Sequence, residues 1–188
     1  MRKVVLGFLG LCLSMVLMSC SSLPKVSAGK NIVAGKVITT GVNFDGVYTP
    51  FNGKHTDENI VFVKSKSTGK EYSMKCDKEG YFYTTKLPSD EEFIFSRIQL
   101  TCQLSNVITW VNGTFSDKVV FKTNDMTITN LGTIDYKFNN GGRSEWRVQY
   151  FEFVEADYID KKTEGTDWAN ATIVRKNLLA NTEEWITR

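Results

Sequence analysis

The sequence predicts a mainly β protein, an antiparallel β-sandwich with a short C-terminal helix. Short segments of alternating apolar and polar residues recur along the chain, and turn signals separate them at roughly ten-residue spacing. Near the C-terminus that alternation gives way to apolar residues at helical spacing.

The elements follow in order. Residues 21–31 (SSLPKVSAGKN) are small and polar with Pro and Gly, the composition of a tether. Ile32 to Thr40 reads as a first strand, and 41–59, rich in Gly, Asn, Asp and Pro, as a long loop. Ile60-Val61-Phe62-Val63 is a short, strongly apolar strand. Glu71 to Cys76 is the next, followed by the tight turn Asp77-Lys78-Glu79-Gly80, with Gly80 available for a positive φ. Tyr81 to Leu87 continues the set, and Pro88-Ser89-Asp90-Glu91 ends it. Alternation resumes from Glu92 to Leu104. Further strands are expected at 107–111, 118–123, 126–138 (interrupted near Gly132) and 145–154. Beyond lies an acidic connector, then a helix capped by Asp167 with Trp168, Ala171, Val174, Leu178 and Trp185 on one stripe. The Trp168–Trp185 stripe is expected to dock on the sandwich.

The first twenty residues specify an address. Arg2 and Lys3 precede an uncharged apolar run from Val4 to Met18, too short for a comfortable spanning helix, and a small residue, Ser19, precedes Cys20. Leu17-Met18-Ser19-Cys20 resembles the lipobox of bacterial lipoproteins. Met18 departs from the Ala or Ser usual at its position. The resemblance implies cleavage before Cys20, acylation of that cysteine and a cell-envelope location. Ser21, in place of Asp, further implies the outer membrane if the cell is Gram-negative. The expected organisation is a leader at 1–19, a lipidated tether at 20–31, a sandwich at 32–154, and a connector with amphipathic helix at 155–188.

Loss of Arg2 and Lys3 with the leader leaves 21 basic against 21 acidic residues, a formally neutral mature chain. Such a surface gives no electrostatic case for nucleic acid. Of the four cysteines, Cys12 leaves with the leader and Cys20 carries lipid. Cys76 shares a strand face with Tyr72 and Met74, and Cys102 with Ile98, Leu100 and Leu104. Both are expected in the core, either bridged, if their strands are neighbours, or as packed thiols.

Gly35-Lys36-Val37, Ile60-Val61-Phe62-Val63, Asp77-x-x-Gly80-Tyr81-Phe82 before Leu87-Pro88, and Asn130-Leu131-Gly132-Thr133-Ile134-Asp135-Tyr136 occur in that order. The set resembles the carboxypeptidase-regulatory-like, or transthyretin-like (Ig-like), β-sandwich, over about residues 33–137. The chain departs from it in the long loop 41–59 and at Ser89-Asp90-Glu91, where Gly often follows the Pro. The resemblance implies a non-catalytic module that stabilises, displays or binds, and it transfers no active-site residue.

No constellation calls for an enzyme, a metal or another cofactor. His55 is the only histidine and sits in a polar loop beside Asp57 and Glu58. The acidic set Glu152, Glu155, Asp157, Asp160, Glu164 and Asp167 lacks the rhythm of a calcium loop and is diluted by Lys161 and Lys162. Gly-x-Ser-x-Gly and Cys-x-x-Cys are absent. Aromatic residues make up 12% of the chain, and Trp110, Trp146, Tyr81, Tyr83, Tyr150 and Phe151 fall on expected strands. Most should pack the core, while an exposed Trp110 or Trp146 would suit stacking on a sugar ring. The sequence therefore predicts a lipid-anchored binding or structural module with an envelope protein or glycan as partner. The alternative is a carbohydrate-binding accessory to glycan uptake.

Overall fold

A computed structural model describes residues 23–40, 49–50, 59–104, 107–114, 119–137, 156–178 and 180–188. The elements are β1 (Ile32–Thr40), β2 (Thr49–Pro50), β3 (Ile60–Ser65), β4 (Glu71–Lys75), β5 (Tyr81–Thr84), β6 (Glu92–Leu104), β7 (Val107–Thr114), β8 (Val120–Lys122) and β9 (Ile128–Lys137). Helix α1 (Ala156–Thr163), a 3-10 turn (Asp167–Asn170), β10 (Ile173–Asn177) and β11 (Thr182–Ile186) complete the chain.

Two sheets form. One has the order β11-β10-β9-β1-β5. The other runs β2-β6-β3-β4, with β7 and β8 on β6 as well. Every pairing in the second sheet is antiparallel. In the first, β1 pairs with β9 in parallel and β9 with β10 in parallel. The architecture is mainly β and sandwich-like, as expected, but it is mixed, not purely antiparallel. A parallel pair needs a long crossover, and α1 with the 3-10 turn lies on the one between β9 and β10.

The second sheet follows the simple alternation of a half-buried layer. Val61, Val63, Met74 and Cys76 point inward, while Lys64, Glu71, Ser73 and Lys75 are exposed. They meet Val33, Val37, Phe82, Leu131 and Ile134 from the first sheet, with Phe93, Phe95, Ile98, Leu100 and Phe121, in the main core. The other face of the first sheet is also covered. Ile32, Ala34, Tyr81, Ile128 and Ile173 pack there with Ile159 of α1 and Trp168 of the 3-10 turn. Tyr81 and Phe82 thus enter opposite cores, as the pleat requires.

Two local features match their sequence signals. The Asp77–Gly80 turn closes with Gly80 at φ 87°, and Asp77 Oδ1 accepts hydrogen bonds from the amides of Glu79 and Tyr81, each at 3.0 Å. The interruption in β9 is a bulge: Ala34 pairs with Asn130 but Lys36 with Thr133, and Gly132 takes φ 72°.

Three expectations are corrected. The helix from Asp167 onward is instead a four-residue 3-10 turn followed by a β-hairpin, and the helix lies earlier, within the expected connector. Trp168 is fully buried while Trp185, on edge strand β11, is 56% exposed, so they share no stripe. Residues 23–31 are not a free tether. Leu23 and Val26 pack against the second core, the Gly29 amide donates to Asp125 Oδ1 at 2.7 Å, and Asn31 is fully buried, donating to the Leu87 carbonyl at 2.9 Å. Cys76 is a buried free thiol at the end of β4, whereas Cys102 pairs with Pro50 and Thr109. Strand β3 stands between β4 and β6, so the neighbouring-strand condition for a bridge is unmet.

Candidate functional site

A solvent-open concavity lies where the β4–β5 turn meets α1. The Asx-type bonding at Asp77 holds Lys78 and Glu79 at the rim and delivers Tyr81 into β5. On α1, Ile159 and Thr163 are four apart and buried against the sheet. Tyr158, Lys161 and Lys162 project from the adjoining flank of the helix and line the groove. Its volume is about 590 Å³, and it is open to solvent.

Aromatic contacts fix the floor. The Tyr81 and Tyr158 rings stack with centroids 4.1 Å apart and planes 11° from parallel. Lys36 Nζ donates to the Tyr81 hydroxyl at 3.1 Å and sits 4.3 Å from that ring's centroid. Lys162 Nζ lies 5.5 Å from the centroids of both Tyr83 and Tyr158. Burial, then the negative charge of Asp77, raises the Tyr158 phenol above the usual tyrosine range. That phenol stays protonated at neutral pH and serves as a neutral hydrogen-bonding group.

The arrangement suits binding. Lys78, Lys161 and Lys162 present ammonium groups around a tyrosine pair, with the Asp77 and Glu79 carboxylates beside them. One Asp77 oxygen is already occupied by two backbone amides. Among the described residues, no group of three His, Cys, Asp or Glu side chains is placed to hold a metal.

The residues singled out from the sequence fall elsewhere. Cys20, His55 and Trp146 lie outside the described residues, as do Glu152 and Glu155 of the acidic set. Trp110 stands on β7 opposite Thr101. Of the others, Asp160 pairs with Arg188 at 2.5 Å and Asp167 opens the 3-10 turn. Sequence reasoning missed the groove because its helix was read as a connector. The spacing of Ile159 and Thr163 against Tyr158, Lys161 and Lys162 was the available signal.

No protein-family model, curated protein or solved structure matches the chain.

Proposed function

We propose that this chain is a bacterial cell-envelope lipoprotein whose β-sandwich is a non-catalytic binding or structural module of the transthyretin-like kind. The observation that carries the reading is Leu17-Met18-Ser19-Cys20 at the end of a basic-then-apolar leader. The leader is removed, the thiol of Cys20 is acylated, and more than one acyl chain gives stable anchoring. Downstream of the cleavage point, Leu23 and Val26 pack on the fold. The groove at the Tyr81–Tyr158 stack, rich in ammonium and hydroxyl donors, supports binding over reaction chemistry.

Metabolic labelling with an alkyne fatty acid tests the reading. Wild-type protein should carry label in the membrane fraction, and the Cys20→Ala variant should carry none. An unlabelled, soluble wild-type protein retaining its leader would contradict it.

A further inference from the structure

The second core brings three things to one pole of the domain: the segment from Leu23 onward, helix α1 and a set of lysines. Leu23 lines a small pocket with Tyr83, Tyr158, Ile159 and Lys162, so the chain enters the fold directly beside α1. It is pinned there, because Trp168 Nε1 donates to the Pro24 carbonyl at 2.6 Å. Only three residue steps separate Cys20 from Leu23. Fully extended, three steps span about 10 Å. The headgroup layer of one leaflet is on the order of 6 Å thick.

We propose that the α1 pole of this domain rests on an anionic lipid surface, with Lys25, Lys161 and Lys162 bound among the headgroups. The inference builds on the lipoprotein reading, since acylation of Cys20 is what brings the pole to the bilayer. The short span leaves no room for the domain to stand off or turn over while residues 23–26 remain packed. All three lysines are exposed. No described side chain forms an ion pair with Lys161 or Lys162. Of the acids around them, Asp160 is compensated by Arg188, Glu164 is exposed just past the end of α1, and Asp77 and Glu79 lie across the groove. Half-buried Tyr83 and Tyr158 beside Lys162 form the amphipathic combination that settles at headgroup level, ring toward the apolar side and polar tip in water. Each lysine is worth about a fivefold gain in association with an anionic surface.

The test uses the full chain, acylated in cells, labelled through an alkyne fatty acid and purified from membranes. It is returned to phosphatidylcholine vesicles with or without phosphatidylglycerol, and amide hydrogen exchange is compared with that in detergent. Residues 23–31 and 156–163 should exchange more slowly on phosphatidylglycerol vesicles, while residues 64–71 of the opposite sheet should not change. A long Gly/Ser insertion between Ser22 and Leu23 should abolish that protection without unfolding the domain. Lys161→Glu with Lys162→Glu should abolish the part that depends on phosphatidylglycerol. Unchanged exchange in α1 with Cys20 labelled would overturn the proposal and leave the lipoprotein reading standing. So would protection of α1 in native envelopes but not in pure lipid, which would put a protein on this pole instead. An unlabelled Cys20 overturns both.

Discussion

The indole of Trp168 donates a 2.6 Å hydrogen bond to the carbonyl of Pro24, 144 residues earlier in the chain. This one contact ties the first described segment to the crossover over the first sheet, and Trp168 is otherwise fully buried. Trp168→Phe keeps most of the ring volume but strands the Pro24 carbonyl, and should cost about 1–2 kcal/mol in urea unfolding. Trp168→Ala should cost about 3–5 kcal/mol. In the Phe variant, trypsin should cut after Lys25 faster than in wild type, while the hairpin of β3 and β4 keeps its resistance. Equal cleavage rates at Lys25 would show that the indole does not hold the segment.

Gly35 faces Phe82 across the β1–β5 pair. A Cβ added at Gly35 would press into the Phe82 ring, lying 2.9 Å from its Cε1. Gly35→Ala should therefore destabilise by about 1–3 kcal/mol through overpacking. Phe82→Leu in the same chain should recover part of the loss, which a double-mutant cycle by denaturant unfolding will measure. Strict additivity of the two changes would contradict this contact.

Asp77 acts through its acceptor oxygen, not its charge. Asp77→Ala should cost about 1 kcal/mol by freeing the amides of Glu79 and Tyr81. Asp77→Asn, which keeps a carbonyl acceptor, should cost clearly less. Equal losses for both variants would assign the role to the carboxylate charge.

Burial pushes the Cys76 thiol up from 9.0 to about 12, with the Asp77 charge adding in the same direction. The unfolded chain releases this proton first as pH rises, so the contribution to stability is complete below pH 9 and is lost between pH 9 and 12. Tyr158 is shifted in the same sense. Unfolding free energy should fall over that window, and less steeply in Cys76→Ala. At pH 8 the native thiol should resist iodoacetamide, and peptide mapping should find Cys76 modified only in denaturant. Rapid native labelling would contradict the burial.

Local signals made much of the fold legible. β1 spans Ile32–Thr40 as its apolar run indicated, Gly80 takes the expected positive φ, and the Gly132 interruption is a bulge. These depend on pleat and turn chemistry within a few residues. The C-terminal third depends on distant partners. β10 lies between β9 and β11, and its neighbours Ile173 and Val174 are both buried because both faces of that sheet are covered. A strand buried on two sides loses its period of two, and Trp168, Ala171, Val174 and Leu178 then fit a helical spacing by coincidence. The β-branched run Thr172-Ile173-Val174 was the counter-signal. Parallel pairing of β1 with β9 joins segments nearly a hundred residues apart, and no local pattern encodes it. The groove depends on that same topology, because only the crossover brings Tyr158 onto Tyr81.

Mass spectrometry of the N-terminal peptide from membrane-extracted protein bears most directly on the proposed lipid anchor at Cys20. The expected result is a mature chain beginning at Cys20, with the added mass of acyl groups on that residue. A chain that begins at Met1, or one cut at another position with an unmodified Cys20, would contradict it.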